Sequence, residues 1–241
     1  MTSPTGTTRI TKTDERQRAA LLARIERQFA TMTQTVAAGG VSIDFTRVAD
    51  PDAVFDRMAE QFSDSQRDDA AIQPYWAKAW ESNLALAESL TPFEMHGRRV
   101  LDLGCGLGLI GAILAARGAS VWLADVVSPS LLFAKLNVWP WLDRCEVVRF
   151  DWRRDRFSGV QFDWIIGSDI LYDRAEWPYL EPLWRQHLAP GGTVVLGEPF
   201  RIIGDEFREW IGGHPWQVRV DTVRPAGVAR PLRLFWLADK A

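Results

Sequence analysis

The sequence is poor in the residues that would staple or metallate a small fold. Its 241 residues include two cysteines, Cys105 and Cys145, and three histidines, His96, His187 and His214. The cysteines stand in no metal or redox spacing and the histidines in no H-E-x-x-H pattern. A disulfide framework and a sequence-encoded zinc site are therefore excluded. Long apolar runs are missing too. None approaches the roughly 20 residues of a membrane span, and the opening MTSPTGTTRITKTDERQR lacks the apolar centre of a secretory leader. Nor is positive charge in excess. With 28 Lys and Arg against 31 Asp and Glu, the net charge is -3 and the pI near 5.7, which leaves no basic footprint for nucleic acid or an anionic membrane. The densest basic stretch, 149–156, reads as a solvated face. The resulting expectation is a reduced, cytoplasmic protein with no metal, nucleic-acid or membrane partner. The oligomeric state is not encoded in any visible pattern.

What is present is ordinary core-forming material, 47% apolar and 24% charged, enough for one large domain with added elements. Residues 1–13, rich in Thr, Ser and Pro, read as a disordered tail. An extension follows over 14–73. It contains a helix over 14–31, from the spacing of Leu21, Leu22, Ile25 and Phe29, and a hairpin turning at Gly39-Gly40, with Val41, Ile43 and Phe45 alternating after it. A short helix near 51–62, carrying Val54, Phe55, Met58 and Phe62, and a polar loop at 63–70 complete it. From 74 to 241 the pattern changes. A helix with Trp76, Trp80, Leu84 and Ala87 in a stripe stops before Thr91-Pro92. Strands at 98–103, 119–124, 145–150, 162–167 and 192–197 then alternate with helices near 107–116, 129–138, 176–187 and 204–212. Such alternation implies a parallel sheet covered on both faces. The last two strands, 216–223 and 231–238, are joined by RPAGVARP, too short for a helical crossover, and so must be antiparallel. The expected fold is an α/β, Rossmann-like, doubly wound seven-stranded sheet with a reversed strand near the C-terminus.

Within it, VLDLGCGLGLIG (100–111) supports two readings. Gly106, Gly108 and Gly111 spell the dinucleotide fingerprint G-x-G-x-x-G. Gly104, Gly106 and Gly108 behind Asp102 spell D-x-G-x-G-x-G, a methyl-donor signature. Strand, glycine turn and helix give either one credible context. A dinucleotide would put pyrophosphate here, and a carboxylate about 4 Å away would oppose it by roughly 4 kcal/mol at an effective dielectric near 20. S-adenosylmethionine brings no phosphate; its ammonium and sulfonium are cationic. Asp102 therefore favours the methyl donor. Asp125, ending VWLAD, stands where an acid binds ribose hydroxyls in either cofactor, and it also reads as a helix cap before Ser128-Pro129. Asp151 ends EVVRFD and would reach the adenine edge, with Trp152 beside it. Three acids at three successive strand ends mark the carboxyl edge of the sheet, where α/β ligands bind.

The run from about 74 to 241, with LDLGCGLG, VWLAD and RFDW in place, resembles a class I, seven-strand S-adenosylmethionine-dependent methyltransferase. QPYWAKAWESNLALAE and WIIGSDILYDR narrow the likeness to methyltransferase family 16, which includes protein lysine methyltransferases and bacterial nicotinamide-methylase-like relatives. LGEPFR (196–201) resembles the strand-five motif of the branch that modifies the electron-transfer flavoprotein β subunit. Glu81-Ser82-Asn83 departs from the small residues, with Pro or Gly, that many members carry after this tryptophan. The resemblance implies that Asp169 orients or accepts from an incoming amine and that Tyr172 closes the channel. It also implies that Trp80 and Ser168 flank the cofactor, with Glu198 and Arg201 as second candidates for substrate contact. Asp173 also reads as a cap for the following helix, and Tyr172 as a packed strand-end residue. The implied function is methylation of a protein lysine. The alternatives are a small-molecule N- or O-methyltransferase, a methyltransferase fold that only binds, and a nicotinamide-dependent oxidoreductase.

Overall fold

A computed structural model describes residues 12–61, 74–78, 81–225 and 228–240. The expected tail at 1–13 lies outside these residues except for its last two. The polar loop at 63–70, Phe62 and Trp80 lie wholly outside them. Among the described residues, nine strands form two sheets. The smaller is a hairpin, β1 (Thr31–Ala38) and β2 (Val41–Val48), paired antiparallel from Thr31↔Val48 to Ala38↔Val41. Gly39 (φ 60°) and Gly40 (φ 80°) supply the two positive φ angles that a tight two-residue turn demands.

The larger sheet contains β3 (Arg99–Leu103), β4 (Ser120–Asp125), β5 (Cys145–Arg149), β6 (Phe162–Ser168), β7 (Leu188–Glu198), β8 (Trp216–Val223) and β9 (Leu232–Asp239). Its order is β5-β4-β3-β6-β7-β9-β8. The first five are parallel neighbours, and β9 runs antiparallel to both β7 and β8. The reversed strand is thus the last one. Helices cover both faces, and the strands divide their side chains by period two. Val100 packs with α3 (Ser82–Ser89), α4 (Leu109–Ala116) and α5 (Ser128–Asn137), whereas Leu101 and Leu103 pack with α6 (Trp177–His187) and α7 (Ile202–Gly212).

Two expected helices end differently. The first, α1, spans Lys12–Glu26 and stops before a turn that feeds β1; the expected run to 31 takes in a linker and the first strand residue. The expected helix from 74 divides into a 3-10 turn, Pro74–Ala77, and α3. The short α2 (Pro51–Gln61) buries Val54.

The hairpin docks through β2, whose Ile43, Phe45 and Val48 are buried against α4 and α5. Asn137 fastens it. Its Oδ1 accepts the Thr46 N–H at 2.8 Å, and its Nδ2 donates to Thr46 O and Leu107 O, both at 2.9 Å. Leu107 belongs to the glycine loop, so the extension is tied directly to the sheet's carboxyl edge. Among the described residues, no helix is long and apolar enough to cross a membrane, and no cluster of His, Cys, Asp and Glu could hold a metal.

Candidate active site at the carboxyl edge of the sheet

The loop after β3 turns three times through left-handed backbone, at Gly104 (φ 68°), Gly106 (φ 51°) and Gly108 (φ 79°). The Gly104 and Cys105 amides both donate to Ala124 O, at 2.8 and 3.1 Å, which hooks the loop onto the end of β4. Gly108 caps α4 in that same conformation. Gly111 has a different role: a Cβ there would stand 2.6 Å from Leu123 Cδ2 and 2.9 Å from Asp102 Oδ2. The fourth glycine therefore permits helix–strand packing, and the two overlapping motifs describe one turn and one close approach.

A cavity opens above this loop. Gly104, Cys105, Gly106 and Leu107 form its floor, and Asp125, Val126 and Val127 enter from the end of β4. Trp152 enters after β5, Ser168 from the end of β6, and Asp169, Ile170 and Tyr172 after it. Tyr75, Trp76, Lys78 and Asn83 close it from the segment before β3. Sequence reasoning passes over Tyr75, Lys78 and Asn83, although Tyr75 lies inside the P-Y-W motif and shares its signal.

The three strand-end acids have three distinct surroundings. Asp125 accepts the Gly106 N–H on Oδ2 (2.8 Å) and the Val127 N–H on Oδ1 (2.9 Å), so it ties the loop to β4 while lining the cavity. Burial raises its carboxyl pKa against these backbone bonds. Asp102 is 1% exposed and does not line the cavity. Its Oδ2 accepts the Gly111 N–H at 3.1 Å, and its Oδ1 has no hydrogen-bond partner among the described residues. Burial pushes its pKa up to about 7, with Asp125 nearby adding to the rise. A full charge on Asp102 facing the ligand, assumed in choosing between cofactors, is thus reduced near neutral pH. Asp151 turns outward. Its Oδ1 accepts the Arg153 N–H (3.0 Å) and its Oδ2 pairs with Arg154 (2.8 Å), bordering a smaller pocket beside the main one.

Trp152 is fixed by a buried acid that the sequence reading missed. Its Nε1 donates to Glu176 Oε2 at 2.6 Å, and the Arg153 guanidinium pairs with the same carboxylate. This places the indole against Gly104, where an added Cβ would meet Trp152 Cζ3 at 3.4 Å and Ile170 Cγ2 at 2.8 Å. Much of the basic stretch at 149–156 is engaged by nearby acids and carbonyls.

The turn after β6 carries the other group of interest. Asp169 has a left-handed backbone (φ 60°), donates its N–H to Gly197 O at 2.8 Å and is 7% exposed. Its carboxylate pairs with the Arg201 guanidinium, with Nη2–Oδ2 at 3.1 Å. Burial raises its pKa more than Arg201 lowers it. Tyr172 faces Tyr75 with ring centroids 5.6 Å apart, and burial followed by the nearby Glu176 raises its phenol pKa. Ser168 Oγ donates to Ser82 Oγ at 3.1 Å. Asp173 caps the turn before α6 by accepting the Ala175 N–H at 2.8 Å. Trp76 lines the cavity and also packs edge-on against Phe29 at 5.3 Å. Cys105 is buried and its thiol pKa is well raised by burial, so it is no nucleophile.

Of the residues expected at the site, the structure brings Gly104, Gly106, Asp125, Trp152, Ser168, Asp169 and Tyr172 to one cavity. Gly108 and Asp102 support it from below, Asp151 borders it, and Trp80 lies outside the described residues.

Comparison with known proteins gives this arrangement a context. The profile of a family described as lysine methyltransferase matches residues 68–201. The protein N-lysine methyltransferase METTL21A of Danio rerio is 32% identical over 129 residues, 50% of this chain and 58% of that protein. The electron transfer flavoprotein beta subunit lysine methyltransferase of Xenopus laevis is 32% identical over 151 residues, 59% of this chain and 56% of that one. The chain spans little more than half the length of these curated relatives. Among solved structures, the glycopeptide N-methyltransferase MtfA has a TM-score of 0.55 at 17% identity, covering 66% of this chain and 96% of that one. The N-methyltransferase NodS from Bradyrhizobium japonicum has a TM-score of 0.54 at 16% identity, covering 78% and 98%. At such identities the likeness is one of fold.

Proposed function

The chain belongs to the lysine methyltransferase family, and from that premise we propose that it transfers a methyl group from S-adenosylmethionine to the side-chain nitrogen of a protein lysine. The observation that carries this reading is one cavity lined both by the glycine loop with Asp125 and by the D-x-x-Y turn with Asp169 and Tyr172.

The residues present fit the cofactor. Gly104 and Gly106 present bare backbone in a conformation that admits close approach. Asp125 has carboxylate lone pairs left after its two backbone bonds, which suits ribose hydroxyls. Trp152, locked by Glu176, offers a flat apolar face suited to a base, and Val126 and Val127 add apolar surface. Asp102 lies beneath the loop without lining the cavity and braces it through the Gly111 N–H. When bound, S-adenosylmethionine supplies an electrophilic methyl group on a cationic sulfur.

The protein's own groups then prepare the acceptor. A lysine side chain has a reference pKa of about 10.4 and must present a neutral nitrogen with its lone pair free. The Asp169 carboxylate can accept an N–H from that nitrogen and hold its direction. Tyr172 and Tyr75 wall the approach with aromatic surface that limits water. Such catalysis relies on alignment and desolvation more than on acid–base work.

The test is incubation of the protein with methyl-labelled S-adenosylmethionine and host extract, followed by separation of macromolecules from small molecules. Label should enter a discrete protein band and map to lysine by mass. Asp169→Ala should lose transfer while keeping cofactor affinity; Asp125→Ala should lose affinity itself. Label confined to small molecules, or full transfer by Asp169→Ala, would overturn the assignment.

A further inference from the structure

Among the described residues, two other than glycine have a left-handed backbone, Asp169 (φ 60°) and Phe200 (φ 53°). Asp visits this region readily, but an aromatic residue there is a genuine outlier. Phe200 is also 42% exposed, so core packing does not account for the strain. The two residues are joined. Asp169 N–H donates to Gly197 O, and the residue after Phe200 is Arg201, whose guanidinium engages both oxygens of the Asp169 carboxylate.

A buried ion pair holds the turn in this shape. Glu198, 2% exposed, accepts the Arg201 N–H at 2.9 Å and pairs at 3.1 Å with Arg233 of β9, itself 6% exposed. The Arg233 guanidinium lies 4.5 Å from the Phe200 ring centroid and 2.8 Å from Asp205. Phe200 is thereby clamped in its strained conformation, and Arg201 is aimed at Asp169. Asp169 lines the cavity; Arg201 does not.

We propose that Arg201 is a positioning residue that makes Asp169 half of a fixed, nearly neutral ion pair, so that the cavity receives the acceptor lysine as a neutral amine instead of trapping it as ammonium. This inference rests on the lysine reading above. A bare buried carboxylate would either take up a proton or hold an ammonium as a salt bridge, and an ammonium has no lone pair to attack with. With Arg201 in place the carboxylate's charge is compensated, while its remaining lone pairs still accept an N–H. The other charged groups around Asp169 leave this balance intact. Glu198 from β7 adds negative charge and Arg233 from β9 offsets it. Lys78 lines the cavity from the segment before α3, Asp125 from the end of β4, and Tyr172 from the same turn.

The experiment compares wild type, Arg201→Gln and Arg201→Lys by following the Asp169 carboxyl carbon in a pH titration, assigned with Asp169→Asn. A second arm titrates n-butylammonium at pH 8, and a third measures initial methyl-labelling of extract protein from pH 6.5 to 9.5. Arg201→Gln should move the Asp169 midpoint upward, bind n-butylammonium about fivefold more tightly, and shift half-maximal labelling to higher pH. Arg201→Lys should restore most of each. Thermal unfolding checks that both variants fold, and a merely structural role would lower labelling evenly at every pH. Wild-type labelling with an unshifted Arg201→Gln profile and unchanged n-butylammonium affinity would overturn the role of Arg201 alone. A wild type that labels no protein would overturn the lysine reading and this inference with it.

Discussion

Asp102→Asn should make the unfolding free energy less sensitive to pH, because burial raises the Asp102 carboxyl in the folded state. In the folded protein the Asp102 carboxyl titrates near 7, raised first by burial and further by Asp125, against the lowering bond from Gly111. In the unfolded chain its pKa is about 3.9. Between these values the native state binds more protons than the unfolded one, so stability falls as pH rises and the loss is complete above the folded pKa. The penalty is about 1.5 kcal/mol at pH 5 and about 4 kcal/mol at pH 8, from 1.36 kcal/mol per pKa unit. Asparagine keeps an oxygen for the Gly111 N–H and places an amide where Oδ1 finds no partner. Leaving that donor unsatisfied costs about 1–3 kcal/mol, but the cost is the same at both pH values. Other raised carboxyls, such as Asp125 and Asp169, are present in both proteins. The quantity to measure is therefore the stability of wild type minus that of Asp102→Asn, by urea unfolding followed through the 12 tryptophans, in protein stripped of S-adenosylmethionine. That difference should fall by about 2.5 kcal/mol from pH 5 to pH 8. An unchanged difference would refute the buried, raised carboxyl and leave Asp102 fully ionised beneath the loop at neutral pH.

Two further perturbations test the supports of the site. Gly108→Ala asks a left-handed residue to carry a Cβ that would meet Ala134 Cα, Ala134 Cβ and Leu123 Cδ2, each at 3.0 Å. Backbone strain and overpacking together should cost about 3 kcal/mol and displace the loop, seen as lost cofactor affinity in calorimetry. Gly159→Ala, left-handed but facing open space, should cost only about 1–2 kcal/mol, and equal losses would sink the packing argument. Asn137→Ala frees both backbone groups of Thr46 and the Leu107 carbonyl, all held now at 2.8–2.9 Å. The loss should be about 3 kcal/mol in urea unfolding, with weaker cofactor binding because Leu107 lies in the loop; a loss below about 1 kcal/mol would mean the hairpin is held by packing alone.

The sheet was legible because most of its strands carry buried runs with helical patterns between them, and its reversal followed from a connection too short to cross over. The first strand was harder: β1 is mostly exposed, so TMTQTV has no apolar face of its own, and its partner and Gly39-Gly40 carry the signal instead. The same distinction governs the site. Roles fixed by partners close in the chain were the easier to read, and roles fixed across the sheet the harder. Asp125 is partly of the first kind, binding the Val127 amide two residues on, although its bond to the Gly106 amide joins two strand ends. Asp151 looks equivalent in sequence, yet Arg153 and Arg154 draw its carboxylate away from the main cavity. Asp102 is of the second kind, since its protonation depends on Gly111 letting α4 close over it. Glu176 is further from view: an acid before a helix reads as a dipole partner, and its burial under Trp152 and Arg153 appears only when the turns after β5 and β6 meet. The Asp169–Arg201 pair needs the most. Two residues 32 apart become partners only because β6 and β7 are neighbours and Phe200 accepts a strained conformation over Arg233. In this chain the glycine loop proposed to hold a cofactor was written in one run of sequence, and the Asp169–Arg201 pair proposed to set charge and direction for an acceptor was written in the contacts between strand ends.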